Sequence, residues 1–82
     1  MLTGMTARVR LYTRSGCHLC EPAREVVAST CAALGQEWAE FDVDADPATK
    51  ERFTDQVPVA TVDGEVVGFW RIDPDRLRAA LV

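Results

Sequence analysis

The spacing of apolar residues changes period inside the first half of this chain, and this change limits the folds that it can adopt. In ARVRLYT, residues 7–13, apolar residues alternate with arginines, which is the two-residue period of a β-strand. From Cys20 the apolar residues recur at helical spacing for about four turns, and Gly35 stands where a glycine commonly ends a helix. One face of this predicted helix carries Cys20, Ala23, Val27, Cys31 and Leu34.

A second strand is predicted in EWAEFDVD, residues 37–44, where the pattern returns to alternation. Ala39, Phe41 and Val43 fall on one side of this strand, and acidic residues fall on the other. Because a helix connects the two predicted strands, we expect them to pair in parallel, with the helix crossing one face of the sheet.

The second half of the chain predicts a short helix, a hairpin and a final helix. Asp46-Pro47 supplies an N-cap and a first-turn proline for a helix that ends near Phe53. VPVATV and EVVGFW flank Asp63-Gly64, a strong signal for a tight hairpin turn. Residues 73–81, DPDRLRAAL, repeat the Asp-Pro start and have leucines four residues apart. The predicted order is β-α-β-α-β-β-α, an α/β fold with a small mixed four-stranded sheet flanked by helices.

The length and charge of the chain exclude several classes of protein. Its 82 residues suit one domain, residues 1–82, with a core of two packed layers. No apolar run approaches the roughly 18 residues of a membrane span, and the start of the chain does not resemble a secretory signal. We therefore expect a cytoplasmic protein without membrane association, and we also expect a monomer. The net charge of −4 divides into +2 for residues 1–35, with four arginines against two glutamates, and −6 for the rest, which argues against a nucleic-acid partner.

The segment YTRSGCHLCEPAREVV places two cysteines, separated by two residues, between the first predicted strand and the first predicted helix. Two thiols at this spacing can close a disulfide, hold a metal or exchange electrons with another protein. A helix N-terminus favours an anion and commonly lowers the pKa of a cysteine from its free value of ~8.5. We therefore predict that Cys17, at the exposed junction, attacks a substrate disulfide and that Cys20, on the buried face, resolves it. Arg14 and His18 lie close enough in sequence to add positive charge or a hydrogen-bond donor.

Several of these residues also have a simpler structural interpretation. A zinc site would need His18 or Cys31 as a further ligand, and the chain has no second ligand pair, so no metal is expected. Cys31 is expected to be a small buried residue, with a regulatory redox role as the alternative. His18 and Arg14 are also consistent with solvated surface side chains. Phe69 and Trp70 are interpreted either as packing residues or as the lining of a substrate groove.

The chain resembles a known family once Val57-Pro58, which directly precedes a predicted strand, is included. It is similar to the glutaredoxin-like branch of the thioredoxin-fold family, especially short bacterial glutaredoxin-like proteins with C-H-L-C, from about residue 7 to residue 81. The resemblance rests on LYTRSGCHLCEPA, FDVDADP, QVPVATVDGEVVG and DPDRLRAAL, which occur in the family's order. It implies a thioredoxin-like fold and a thiol–disulfide oxidoreductase with a dithiol mechanism.

The resemblance implies roles for individual residues. Cys17 matches the family's nucleophilic cysteine, and Cys20 matches its resolving cysteine. Arg14 stands where glutaredoxins usually have a lysine that helps to bind an acidic thiol cosubstrate. Val57-Pro58 matches the segment with a cis X-Pro bond, whose backbone pairs with the bound disulfide. With His18, these residues form the predicted catalytic and substrate-binding set.

Two positions depart from the usual glutaredoxin pattern. His18-Leu19 replaces Pro-Tyr between the cysteines, and Gly68-Phe69-Trp70 replaces a Gly-Gly pair that serves glutathione. The composition suggests a GC-rich genome, because the chain has eight arginines to one lysine, one isoleucine and no asparagine. Some bacteria with such genomes use mycothiol instead of glutathione.

The resemblance also sets the expected partners. No bound cofactor is expected; glutathione or mycothiol is a candidate low-molecular-weight thiol cosubstrate, and thioredoxin reductase is an alternative electron donor. The expected substrate is a disulfide-containing protein or a low-molecular-weight disulfide. The competing hypothesis is a non-catalytic binding or redox-sensing module that holds a partner protein beside Val57-Pro58.

Overall fold

A computed structural model of the chain describes residues 7–53 and 55–82. The predicted single domain also includes residues 1–6 and 54, which lie outside the described residues. Within the described part, four strands form one sheet, and three α-helices and a short 3-10 segment complete the fold. The strands are β1 (Val9–Thr13), β2 (Trp38–Asp42), β3 (Val59–Val62) and β4 (Glu65–Phe69), and the helices are α1 (Cys20–Leu34), α2 (Pro47–Phe53) and α3 (Pro74–Leu81).

The sheet has the strand order β2-β1-β3-β4 and mixes parallel and antiparallel pairs. β1 pairs in parallel with β2, with Val9 opposite Trp38, and antiparallel with β3, with Leu11 opposite Ala60. β3 and β4 form the antiparallel hairpin. The predicted order β-α-β-α-β-β-α and the predicted mixed four-stranded sheet are therefore confirmed.

The main core lies between the sheet and helices α1 and α3. Four residues of the predicted face of α1 are buried: Cys20, Ala23, Val27 and Cys31 are at most 2% exposed. Leu34, the last residue of that face, is half-buried and packs against the same core. The helix ends at Gly35, which has a φ of 67°, a left-handed conformation that favours glycine. The buried residues of this core are Val9, Leu11, Ala23, Val27, Cys31, Ala60, Val62, Ile72, Leu77 and Leu81.

A smaller core lies on the opposite face of the sheet, under α2. It consists of Val43, Phe53 and Val59, with Tyr12 and Val57 packed against it. Helices therefore cover both faces of the sheet, and the fold has three layers rather than the two expected from the chain length. The carboxyl end of β1 leads directly into the segment with the two cysteines.

The second strand differs from its prediction at its carboxyl end. β2 ends at Asp42, because the Asp42 carboxylate accepts the backbone N–H of Asp44 at 2.9 Å and starts a 3-10 segment, Val43–Ala45. Val43 is buried from this segment rather than from the strand. Phe41 is 38% exposed because β2 is an edge strand, and its ring stacks on Tyr12 with the centroids 5.6 Å apart.

Among residues 7–53 and 55–82, no helix has both the length and the apolar character needed to cross a bilayer.

Candidate functional site

The loop between β1 and α1 carries the two cysteines. Gly16 has a φ of 79°, which favours glycine, and it turns the chain immediately before Cys17. The backbone N–H of Cys17 donates to the carbonyl oxygen of Arg14 at 3.2 Å, and the N–H of Cys20 donates to the carbonyl oxygen of Cys17 at 3.3 Å. Cys17 therefore lies one tight turn before the first residue of α1, at the junction where the sequence predicts it.

The two thiols differ in burial and in acidity. Cys17 is half-buried, whereas Cys20 has no exposed surface. Burial, together with a hydrogen bond to Cys17, raises the pKa of Cys20 from 9.0 to about 11. A backbone hydrogen bond from Arg14 and the charge of Arg24 act in the opposite direction. At neutral pH Cys20 is therefore a protonated thiol, and the sulfur that solvent can reach belongs to Cys17.

A network of three polar side chains joins α1 to the sheet near Cys20. Thr13 Oγ1 donates to Glu40 Oε2 at 2.8 Å, and Arg24 Nε donates to both oxygens of the same carboxylate at 2.9 Å. Arg24 follows Cys20 by one helical turn, and its charge lowers the pKa of Cys20. Sequence patterns do not single out these residues, because the hydrogen bonds join positions 16 and 27 residues apart.

Arg14, predicted to help bind an acidic thiol, lies in the loop before Cys17. Its Nε donates to Asp44 Oδ2 at 3.0 Å, and its Nη2 donates to Asp44 Oδ1 at 3.2 Å. Asp44 is a site residue that sequence reasoning missed, although the acidic run FDVDAD was a signal that a cation could lie nearby. An incoming anion would compete with Asp44 for Arg14, and the binding role of Arg14 stays a prediction. His18 is exposed next to Cys17 in the sequence, and its role also stays a prediction.

The Val57-Pro58 peptide bond is cis, as the resemblance implies. Pro58 is buried directly before β3. Val57 borders a surface cavity of about 460 Å³, which we call the apolar groove; it is lined by Leu19, Val57, Phe69, Trp70 and Arg71. Because Leu19 lies between the two cysteines in the sequence, the dithiol loop and the cis-proline segment border the same groove.

In the described ranges, no three His, Cys, Asp or Glu side chains are grouped so that they could hold a metal ion. Cys31 lies in the main core and is 1% exposed, and burial raises its pKa. Its position agrees with the prediction of a small buried residue.

Comparison with protein families identifies the chain. The model of the family described as Glutaredoxin-like domain (DUF836) matches residues 8–82. The chain belongs to this glutaredoxin-like family. Among curated proteins, this glutaredoxin-like chain is similar to an uncharacterized protein of Mycobacterium tuberculosis. The two are 35% identical over 77 residues, which cover 88% of this chain and 79% of the relative.

Solved structures support the same assignment. The X-ray structure of a structural genomics target protein from X. campestris matches with a TM-score of 0.72 and 34% identity, covering 89% of this glutaredoxin-like chain and 93% of the other. A mutant of the thioredoxin-like protein BC3987 matches with a TM-score of 0.65 and 24% identity, covering 90% and 94% of the two chains, and this likeness concerns the fold alone. The fold is thioredoxin-like.

Proposed function

We propose that this glutaredoxin-like protein is a thiol–disulfide oxidoreductase of the cytoplasm that works through a dithiol cycle. The observation that carries the proposal is the difference between two neighbouring thiols. Cys17 is accessible in the turn before α1, whereas Cys20 is buried at the first residue of α1 and has a pKa of about 11. An accessible attacking thiol and a sheltered resolving thiol are the two parts that such a cycle requires.

The cycle has two exchange steps. The Cys17 thiolate attacks one sulfur of a substrate disulfide; a mixed disulfide forms, and the first substrate thiolate leaves and takes up a proton. Cys20 then loses its proton and attacks the Cys17 sulfur, which releases the second substrate thiol and leaves a Cys17–Cys20 disulfide. The substrate gains two electrons and two protons in total, and the protein dithiol loses them. An external dithiol, or two equivalents of a monothiol, restores the starting state.

The proposed cycle needs no bound cofactor, because the protein holds the electrons in its own two thiols. Glutathione, mycothiol and a thioredoxin reductase are the proposed electron donors. Arg14, with His18 beside Cys17, would support an acidic thiol, and the backbone at Val57-Pro58 would pair with the bound disulfide. The substrate is proposed to be a disulfide-containing protein or a small disulfide, acted on by a monomer.

A turnover assay with separate electron donors tests this proposal. Insulin and a low-molecular-weight mixed disulfide would each be incubated with the protein and glutathione, mycothiol or NADPH plus thioredoxin reductase. We expect turnover with at least one donor, and we expect Cys31→Ser to behave like the wild type. If the folded protein turns over neither substrate with any donor, the non-catalytic binding module is the better explanation.

A further inference from the structure

Trp70 has an unusual combination of backbone strain and exposure. Its φ is 62°, a left-handed conformation that a large side chain rarely adopts. Two hydrogen bonds hold Trp70 in place. Its backbone N–H donates to the carbonyl oxygen of Pro58 at 2.8 Å, and its Nε1 donates to the carbonyl oxygen of Asp55 at 3.0 Å. The indole ring is thus held in a defined position beside the cis-proline segment.

Packing does not explain why a tryptophan occupies this position. Trp70 is 53% exposed, and its neighbour Phe69 is 42% exposed, with the two rings in edge contact at 5.2 Å. Leu19, which also lines the groove, is 38% exposed. Three large apolar side chains therefore meet water around one cavity, an arrangement typical of a binding surface rather than of a core.

The apolar groove continues along α1. A second cavity of about 290 Å³ shares three lining residues with it, and its full lining is Leu19, Pro22, Ala23, Val26, Trp70, Arg71 and Ile72. Trp70 therefore stands where the two cavities meet. The combined surface starts at the dithiol loop and extends away from it, so a substrate bound at Cys17 would reach the surface directly.

The lining of both cavities indicates the chemistry of the occupant. Arg71 is the one charged side chain among the lining residues of the two cavities, and the other residues are apolar. A small, highly polar thiol would lose water from most of its polar groups there without gaining partners. An extended protein segment can instead place apolar side chains in such cavities while its backbone pairs beside the groove.

We infer that the apolar groove binds an extended segment of a protein disulfide substrate that carries a large apolar side chain next to its half-cystine. Trp70 is the specificity-determining residue, because its fixed ring forms the platform for that side chain. This inference rests on the proposed function, since the substrate is taken to react with Cys17.

The preference between two peptides tests the inference. Both peptides carry one cysteine as a mixed disulfide with thionitrobenzoate, flanked by leucines in the first peptide and by serines in the second. Attack on the peptide sulfur releases the coloured thiol, and each rate is divided by the rate with dithiothreitol to remove intrinsic reactivity. We expect the wild-type protein to prefer the leucine peptide by about tenfold, as an apolar contact of this size provides.

Variants assign this preference to the indole ring. Trp70→Gly removes the ring and suits the positive φ, so the backbone hydrogen bond to Pro58 can persist, and the preference should fall to about onefold. Trp70→Phe keeps an aromatic ring and should retain most of the preference. Phe41→Ala is the matched control, because Phe41 is 38% exposed on β2 and is not among the residues that line the groove.

The possible outcomes separate the two proposals. No reaction with either peptide would contradict the proposed oxidoreductase function. Reaction of the wild-type protein with both peptides at equal normalised rates would overturn the groove inference alone. A tenfold preference that survives in Trp70→Gly would also overturn it, because the apolar contact would then lie elsewhere.

Discussion

At the scale of single residues, burial separates two thiols that are chemically identical in the sequence. The dithiol loop gives Cys17 access to solvent, while α1 carries Cys20 beneath the surface. A buried thiolate is costly because it loses hydration. In the proposed cycle, Cys20 therefore keeps its proton until a mixed disulfide has formed on Cys17. The order of reaction therefore follows from the position of each sulfur.

Single substitutions of the two cysteines should have different consequences. Cys17→Ser should abolish disulfide exchange, because no accessible thiol remains to attack. Cys20→Ser should still attack and then accumulate a mixed disulfide with its substrate, since the resolving thiol is missing. Non-reducing electrophoresis and mass analysis of the trapped adduct measure both results. An adduct on Cys20 in the Cys17→Ser protein would reverse the proposed roles.

Arg24 is the second residue whose role depends on its position. Its guanidinium is held by Glu40, which is itself held by Thr13 at the end of β1. The network fixes a positive charge one helical turn from Cys20, where that charge favours the thiolate formed during resolution. In the proposed cycle, Arg24 is therefore a positioning residue for the second exchange step, because it acts through Cys20.

Replacing Arg24 by methionine should slow that second step. Methionine has a side chain of similar length but no charge, so the pKa of Cys20 should rise further. The attack of Cys20 on the mixed disulfide, which releases the substrate from Cys17, should therefore slow several-fold at neutral pH. Rapid-mixing experiments measure the rate of product release as a function of pH, and the midpoint of this pH profile should lie at a higher pH in the variant. Arg8→Met is the matched control, because Arg8 forms a similar ion pair with Asp63 at the other end of β1. An equal effect in both variants would indicate a general loss of charge or stability.

At the scale of secondary structure elements, predictions are correct where a local signal decides the structure. The helical spacing from Cys20 and the glycine at position 35 locate both ends of α1, and the Asp-Pro pairs locate the starts of α2 and α3. The predicted end of β2 was wrong, because a hydrogen bond from a backbone N–H to the Asp42 side chain ends the strand before the alternating pattern does. Alternation cannot reveal such a bond, and it cannot show that β2 lies at the edge of the sheet.

The N-cap of α3 offers a prediction at this scale. The Asp73 carboxylate accepts the backbone N–H of Asp75 at 2.9 Å, and α3 places Leu77 and Leu81 in the main core. Asp73→Ala should lower the free energy of unfolding by about 1 kcal/mol, whereas Asp73→Asn should retain most of it because asparagine is an equally good cap. Chemical denaturation measures both. Equal losses in the two variants would show that the loss does not come from the capping hydrogen bond.

At the scale of the whole molecule, the site combines residues from separate parts of the chain. The sequence selects the dithiol and Val57-Pro58 as candidate site residues, because their motifs are local. It left Phe69 and Trp70 undecided between packing and a groove, and it did not select Asp44, Arg24 or Glu40. These positions depend on how strands and helices pack. The acidic run that contains Asp44 indicates only that a cation could lie nearby, and no local signal names the partner of Arg24 or Glu40.

The buried thiols should make the stability of the whole molecule depend on alkaline pH. Burial raises the pKa of Cys20 to about 11, from 9.0, and also raises the pKa of Cys31. The folded protein therefore keeps protons that the unfolded chain releases, so this contribution to stability is complete below about pH 9 and is lost as the pH rises to about 11.

Chemical denaturation under reducing conditions, at a series of pH values from 7 to 11, measures this loss. For Cys20 the decrease in the free energy of unfolding should be on the order of 2 kcal/mol. In the double variant Cys20→Ala/Cys31→Ala most of this decrease with pH should be absent, because no buried thiol is left to titrate. Cys17→Ala should keep most of it, since burial is the largest cause of the Cys20 shift and that variant leaves Cys20 buried. A decline of equal size in the double variant would mean that other groups determine the alkaline limit.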